Sequence, residues 1–121
     1  MPLETTIPVI SVDDLPGALE YYETVLGFTR DWVWGEPPEA AGVYRDRIEL
    51  QLAQRGKLGP AGSSHVSLRG TGVDALFEEL NAAGAEVRVP IADRPYGLRD
   101  FSIRDPSGNV LDFGPPGPRS G

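Results

Sequence analysis

His65 is the only histidine of this 121-residue chain, and there is no cysteine. Thiolate catalysis, thiolate metal sites and disulfides are therefore excluded. Nucleophilic or metal chemistry would have to come from His65, carboxylates and hydroxyls. Ser63, Ser64 and Ser67 flank the histidine, but they lack the strained strand-to-helix elbow that activates a serine. His65 is then either a hydrogen-bonded, cavity-lining side chain or a ligand contact whose imidazole a carboxylate such as Asp112 would orient. No residue is expected to be catalytic.

The aromatic residues offer a different chemistry. Trp32 and Trp34 are two positions apart in a strand-like run, so they share a face. Asp31, Glu36 and Glu39 surround them. Indole faces among carboxylates suit a flat heteroaromatic cation; the same spacing also suits two tryptophans in a core or an interface. Phe101, Tyr96 and Phe113 are further aromatic candidates. Arg99 and Arg104 are expected to pair with the many carboxylates.

These residues lie on a pattern that occurs twice. The apolar run at residues 7–12 is of strand type, and Pro8 within it marks an edge. Asp13 or Asp14 is placed to cap a helix, with Pro16 in its first turn. Leu15, Ala18, Leu19, Tyr22, Val25 and Leu26 form one helical stripe, which Gly27 ends. Residues 28–34 are strand-like, and the two prolines of residues 36–39 require a loop. A hairpin follows, with its turn at Arg45, Asp46 and Arg47. Residues 64–69 restart the order as a strand. Val73, Leu76, Phe77, Leu80 and Ala83 make a second helical stripe, ended by Gly84. Residues 86–89 read as a short strand, residues 90–97 as a loop, and residues 98–104 as a strand. Asp105-Pro106-Ser107-Gly108-Asn109 has the composition of a tight turn, and residues 110–113 close the pattern. The expected architecture is α+β: two tandem βαβββ units forming curved mixed sheets around a cleft. All 121 residues form one domain, with a first repeat at 5–55, a linker at 56–63, a second repeat at 64–114 and a loose tail at 115–121.

Composition sets the limits. Hydrophobic residues make up 40%, as in a globular chain. No apolar run is long enough for a membrane span, and no secretory leader is recognisable, so a cytoplasmic protein is expected. The formal charge of −7 repels nucleic acid and favours cationic ligands.

The ordered motifs resemble the vicinal oxygen chelate superfamily of glyoxalases, bleomycin resistance proteins and dioxygenases, over about residues 5–114. The likeness is strongest to bleomycin resistance proteins. It rests on Ile7-Pro8-Val9-Ile10 before Asp13-Asp14, on Leu26-Gly27-Phe28, on Ala41-Gly42-Val43 before Ile48-Glu49-Leu50-Gln51-Leu52, and on Arg99-Asp100-Phe101 before the Asp105–Asn109 turn. The four metal-ligand positions of the superfamily's enzymes match Ile7, Gln51, His65 and Asp112. Ile7 has no donor atom and Gln51 only a weak one. His65 and Asp112 remain, fewer than the three protein ligands of a catalytic zinc; Glu49 would be a substitute beside Gln51. No metal and no cofactor are therefore expected, and any metal would sit on His65, Asp112 and Gln51. The resemblance implies a homodimer whose first strand crosses to the partner. It also implies a non-catalytic binding protein that sequesters a cationic aromatic ligand, such as a bleomycin-type glycopeptide antibiotic, as an antibiotic-resistance determinant. Trp32, Trp34, Asp31, Gln51, His65, Phe101 and Asp112 would line the site. The alternative is a small metal-dependent lyase or dioxygenase of the glyoxalase type.

Overall fold

The structure, a computed structural model, describes residues 1–117. Residues 118–121 of the expected tail lie outside the described residues. In chain order the elements are β1 (Val9–Val12), α1 (Leu15–Thr24), β2 (Thr29–Trp34), β3 (Ala40–Arg45), β4 (Ile48–Gln54), β5 (His65–Arg69), α2 (Val73–Ala82), β6 (Glu86–Asp93), β7 (Arg99–Arg104) and β8 (Val110–Gly114). They form two βαβββ units. The first sheet has the order β1-β4-β3-β2 and the second β5-β8-β7-β6. Each is mixed: β1 runs parallel to β4 and β5 to β8, while the remaining pairs are antiparallel.

Most boundaries agree within two residues, and three differences have a physical cause. The first strand begins at Val9, not Ile7. Pro8 has no N–H to give the ladder, but its carbonyl accepts the Gln51 amide at 2.9 Å. The strand is at a sheet edge, as the proline required, and it pairs with β4 of its own chain. Asp14 occupies the N-cap of α1 but makes no side-chain cap hydrogen bond. Gln54, from the end of β4, takes over that task. Its Oε1 accepts the Leu15 amide at 2.9 Å and its Nε2 donates to the Asp13 carbonyl at 2.6 Å. Third, residues 90–93 belong to β6 rather than to a loop. Pro90 is tolerated because β6 is an edge strand, and the register with β7 shifts on both sides of Val89.

Strand alternation divides each sheet into an inner and an outer face. Ile10, Val12, Ala41, Val43, Leu50 and Leu52 are buried on the inner face of the first sheet, against Leu15, Leu19 and Tyr22 of α1. Leu68, Phe101, Ile103, Leu111 and Phe113 do the same in the second sheet. One continuous core joins the two repeats.

The Asp105–Asn109 turn clamps the repeats together. Asp105, 2% exposed, accepts the Ser107 and Asn109 amides on Oδ1, and the Tyr22 hydroxyl and Asn109 side-chain amide on Oδ2. Asn109 also donates to the Ser11 carbonyl, and Ser107 Oγ accepts the Asp13 amide. Burying this carboxylate is tolerable because four donors surround it.

Candidate functional site

The outer face of the first sheet carries the tryptophans. Trp32 pairs with Gly42, which pairs with Gln51, which pairs with Val9. Trp34 pairs with Ala40 in the same way. Directly paired residues share a face, so Trp32, Trp34, Gly42 and Gln51 stand together, as the spacing predicted for the two indoles. Trp34 is 64% exposed and Trp32 39%; Val9 and Tyr44 on this face are also exposed. Gly42 shapes it. A Cβ there would overlap the Trp32 indole, so the glycine lets the ring lie on the strand. Asp31 is the unpaired residue of a bulge between Arg30 and Trp32, and it is exposed. Of the neighbouring carboxylates, Glu39 is engaged by Lys57 at 2.8 Å.

The outer face of the second sheet carries the histidine. Ser67, Ser102 and Asp112 pair directly across β5, β8 and β7. His65 Nε2 is 3.5 Å from Asp112 Oδ2, and Arg69 is 3.4 Å from the other carboxylate oxygen. The expected His65–Asp112 proximity is therefore present, with Arg69 as a third member that composition alone did not single out. Asp112 Oδ1 and Arg69 Nη1 are buried and lack hydrogen-bond partners.

Beside this group lies a polar cleft of about 270 Å³ whose lining includes Arg88, Arg94, Tyr96, Asp100, Ser102 and Asp112. Asp100 organises it. Arg94 donates to its Oδ1 at 2.7 Å and the Tyr96 hydroxyl to its Oδ2 at 2.5 Å. Burial alone would raise the Asp100 pKa, but these hydrogen bonds and the Arg94 charge outweigh burial and hold it below the usual aspartate range. The same bond raises the Tyr96 pKa, since it favours the protonated phenol. Arg88 donates to Ser102 at 3.3 Å. Sequence reasoning missed Arg69, Arg88, Arg94, Asp100 and Ser102 as site residues. The polar–apolar alternation of Asp100, Phe101, Ser102, Ile103 and Arg104 was the available signal, since it puts Asp100 and Ser102 opposite the core.

Two aromatic candidates belong elsewhere. Phe101 is 1% exposed, 5.0 Å edge-on from Phe77 and stacked 5.1 Å from Phe113. It is a core residue, not a ligand wall, because its register opposite Phe113 turns both rings toward α2. Arg99 pairs with Asp74 at 2.8 Å and Asp93 at 3.5 Å, as expected. Arg104 makes no ion pair among the described residues.

The donor set does not fit a catalytic divalent metal. Among the described residues no three histidine, cysteine, aspartate or glutamate side chains are grouped to hold one. Within one chain Gln51 lies on the first sheet and His65 and Asp112 on the second; Gln51 offers only a neutral amide oxygen, and Ile7, the residue matching His65 in the first repeat, offers no donor.

This fold agrees with comparisons to known proteins. The profile of the Glyoxalase/Bleomycin resistance protein/Dioxygenase superfamily matches residues 6–113, and the chain belongs to that superfamily. Among solved structures, the bleomycin-binding protein from bleomycin-producing Streptomyces verticillus, complexed with copper(II)-bleomycin, is similar. It has 26% identity and a TM-score of 0.81, over 96% of this chain and 98% of that one. TioX from Micromonospora sp. ML1 shares 22% identity and a TM-score of 0.81, over 93% and 98%. Lactoylglutathione lyase from Agrobacterium tumefaciens shares 21% and a TM-score of 0.74, over 95% and 96%. No curated protein matches the chain. No helix among the described residues is long and apolar enough to cross a membrane.

Proposed function

We propose that this protein is a non-catalytic, cytoplasmic binding protein that sequesters a cationic aromatic small molecule, with a bleomycin-type glycopeptide as the first candidate and antibiotic resistance as the consequence. The exposure of both indoles on the open face of the first sheet carries the proposal. A folded chain that buries Phe101, Phe113 and Tyr22 leaves its only two tryptophans facing water. Large aromatics left exposed side by side mark a binding surface. The similarity to a copper(II)-bleomycin complex adds support; there the metal is named as part of the ligand, so none is needed from the protein. Trp32 and Trp34 would stack on the ligand, and Asp31 and Gln51 would meet its polar groups. His65 and Asp112 would close the site from the second sheet.

The chain is taken as one domain acting as a homodimer. In the single chain the polar cleft is lined by residues of the second repeat alone. An aromatic face bordered by Glu49, Asp31 and Glu36 would meet one bearing Arg69, Arg88 and Arg94 together with Asp100 and Asp112, and the opposite net charges of the two faces support pairing the first sheet of one copy with the second sheet of another. Such a pairing would bring Trp32 and Trp34 opposite His65 and Asp112. Exchange of β1 between copies would replace its pairing with β4 by an identical one in the partner.

Tryptophan fluorescence during titration with copper(II)-bleomycin, metal-free bleomycin and a planar aromatic cation tests the proposal. Saturable quenching is expected, weakened about five- to tenfold by Trp34→Ala, since one stacked ring contributes about 1–1.5 kcal/mol. Absence of quenching by all three, or equal affinity in the variant, overturns it.

A further inference from the structure

The two repeats do not close against each other equally at both ends. In the second repeat the β7–β8 connection has five residues, Asp105 to Asn109, and it reaches across to the first repeat through Tyr22, Ser11 and Asp13. The corresponding β3–β4 connection has only two, Asp46 and Arg47. It cannot reach α2 with its backbone. A single side chain spans the gap instead: Arg45 donates to the Glu79 carboxylate at 2.7 and 3.0 Å and to the Leu26 carbonyl at 2.8 Å. The place that a longer turn fills at one end is at the other end a groove of about 620 Å³.

The groove lies between the end of α1, the short turn, the β5–α2 connection and α2, and neither outer sheet face contributes the tryptophans to it. Leu26, Phe28, Leu68, Leu80 and Phe113 line its floor, with Ile48, Val73 and Leu76 as half-buried walls. Its size and apolar lining are those of a small-molecule site. Its charges select the ligand. Arg45, Arg47 and Arg69 line it with Asp46 and Glu79. Arg45 is committed to Glu79 and lies 3.9 Å from Asp46, and Arg69 lies 3.4 Å from Asp112, so the charge left for a ligand is that of Arg47. Arg47 is exposed on the turn and has no ion pair among the described residues.

We propose that this groove between the repeats, opened by the short Asp46–Arg47 turn, is a second binding site that takes a small amphiphile with an apolar body and one anionic group, which Arg47 meets. The apolar body covers Leu76, Val73 and Ile48. The anion stays at the mouth, where its hydration is only partly lost. The preference is opposite in sign to that of the tryptophan face, so the two sites are distinguishable by ligand charge.

The test uses 8-anilinonaphthalene-1-sulfonate, an aromatic body with one sulfonate, on the whole chain. Saturable fluorescence enhancement is expected. Decanoate should displace the probe, and decyltrimethylammonium should not. Amide NMR shifts on binding should cluster at Ile48, Gly70 and Leu76 rather than at Trp32 and Gln51. Arg47→Glu lies on an exposed turn and should weaken the probe by about tenfold or more, since reversal turns an attraction into a repulsion. Leu76→Trp, which fills the groove from its wall, should abolish binding while circular dichroism is retained. The proposal is overturned if the cationic amphiphile competes as well as decanoate, if Arg47→Glu leaves affinity unchanged, or if the shifts fall on the tryptophan face. It is also overturned if Arg47→Glu converts a dimer to a monomer while no shifts appear at the groove, because a second copy would then be its occupant.

Discussion

The Tyr22 hydroxyl donates to Asp105 Oδ2 at 2.9 Å, linking the first helix to a turn 83 positions away. Tyr22 has no exposed surface and Asp105 almost none. The bond therefore ties the two repeats together inside the core. Tyr22→Phe removes one donor from a buried carboxylate and should destabilise the fold by roughly 1.5–3 kcal/mol. Asp105→Ala strands Tyr22 and Asn109 together and should cost more. Urea unfolding at neutral pH measures both.

The same contact predicts behaviour in alkali. Burial, with the Asp105 charge and hydrogen bond next, pushes the Tyr22 phenol well above its ordinary pKa of about 10. In the unfolded chain this phenol ionises near pH 10, while in the folded chain it stays protonated. The unfolded state then binds fewer protons, so stability falls as pH rises above about 10. Unfolding midpoints between pH 8 and about 11 should drop less steeply in Tyr22→Phe than in the parent.

Acid acts through Asp100. The hydrogen bonds from Arg94 and Tyr96, set against the opposing effect of burial, hold its pKa below the unfolded value. Its contribution is complete above the ordinary aspartate range, about pH 4, and is lost as pH falls through the folded value. Asp100→Asn should be less stable than the parent near neutrality and lose less on acidification. Chemical denaturation between about pH 2 and 7 checks the sign.

Gln54 replaces a conventional cap. Gln54→Ala removes the bonds to Leu15 and Asp13 at once and should cost about 1–2 kcal/mol. Asp14→Ala, which loses no side-chain cap bond, should stay within about 0.5 kcal/mol of the parent. Equal losses in the two variants would mean that Asp14 caps the helix in solution.

Gly42 seats Trp32. Gly42→Ala puts a Cβ into the indole and should swing the ring off the strand. A red shift of tryptophan emission and weaker ligand quenching are expected, with an overpacking cost of about 1–3 kcal/mol. Unchanged emission would show that the ring already rests elsewhere.

Local pattern alone determined much of this protein. Helical stripes, the glycine after the second helix and the Asp105–Asn109 turn are short-range signals that led to elements where expected, whereas the first helix stops at Thr24, before the Gly27 that was to end it. The shared face of Trp32 and Trp34 follows from the two-residue period of a strand, and the register with Gly42 and Ala40 agrees. The order of elements also carried the family resemblance.

Other outcomes depended on residues far apart in sequence. Phe101 and Trp32 are both strand aromatics, yet one is core and the other faces water. The difference comes from the alternation phase relative to the helix covering each sheet, which packing alone sets. Asp14 satisfied every local criterion for a cap and was displaced by Gln54, 40 positions later, because β4 ends beside the start of α1. Pro90 read as a loop until β7 proved to lie on one side of its strand only. The groove beside Arg47 needed the comparison of two turns in space: a difference in turn length is legible in the chain, but the empty volume it leaves exists only once the repeats are packed together.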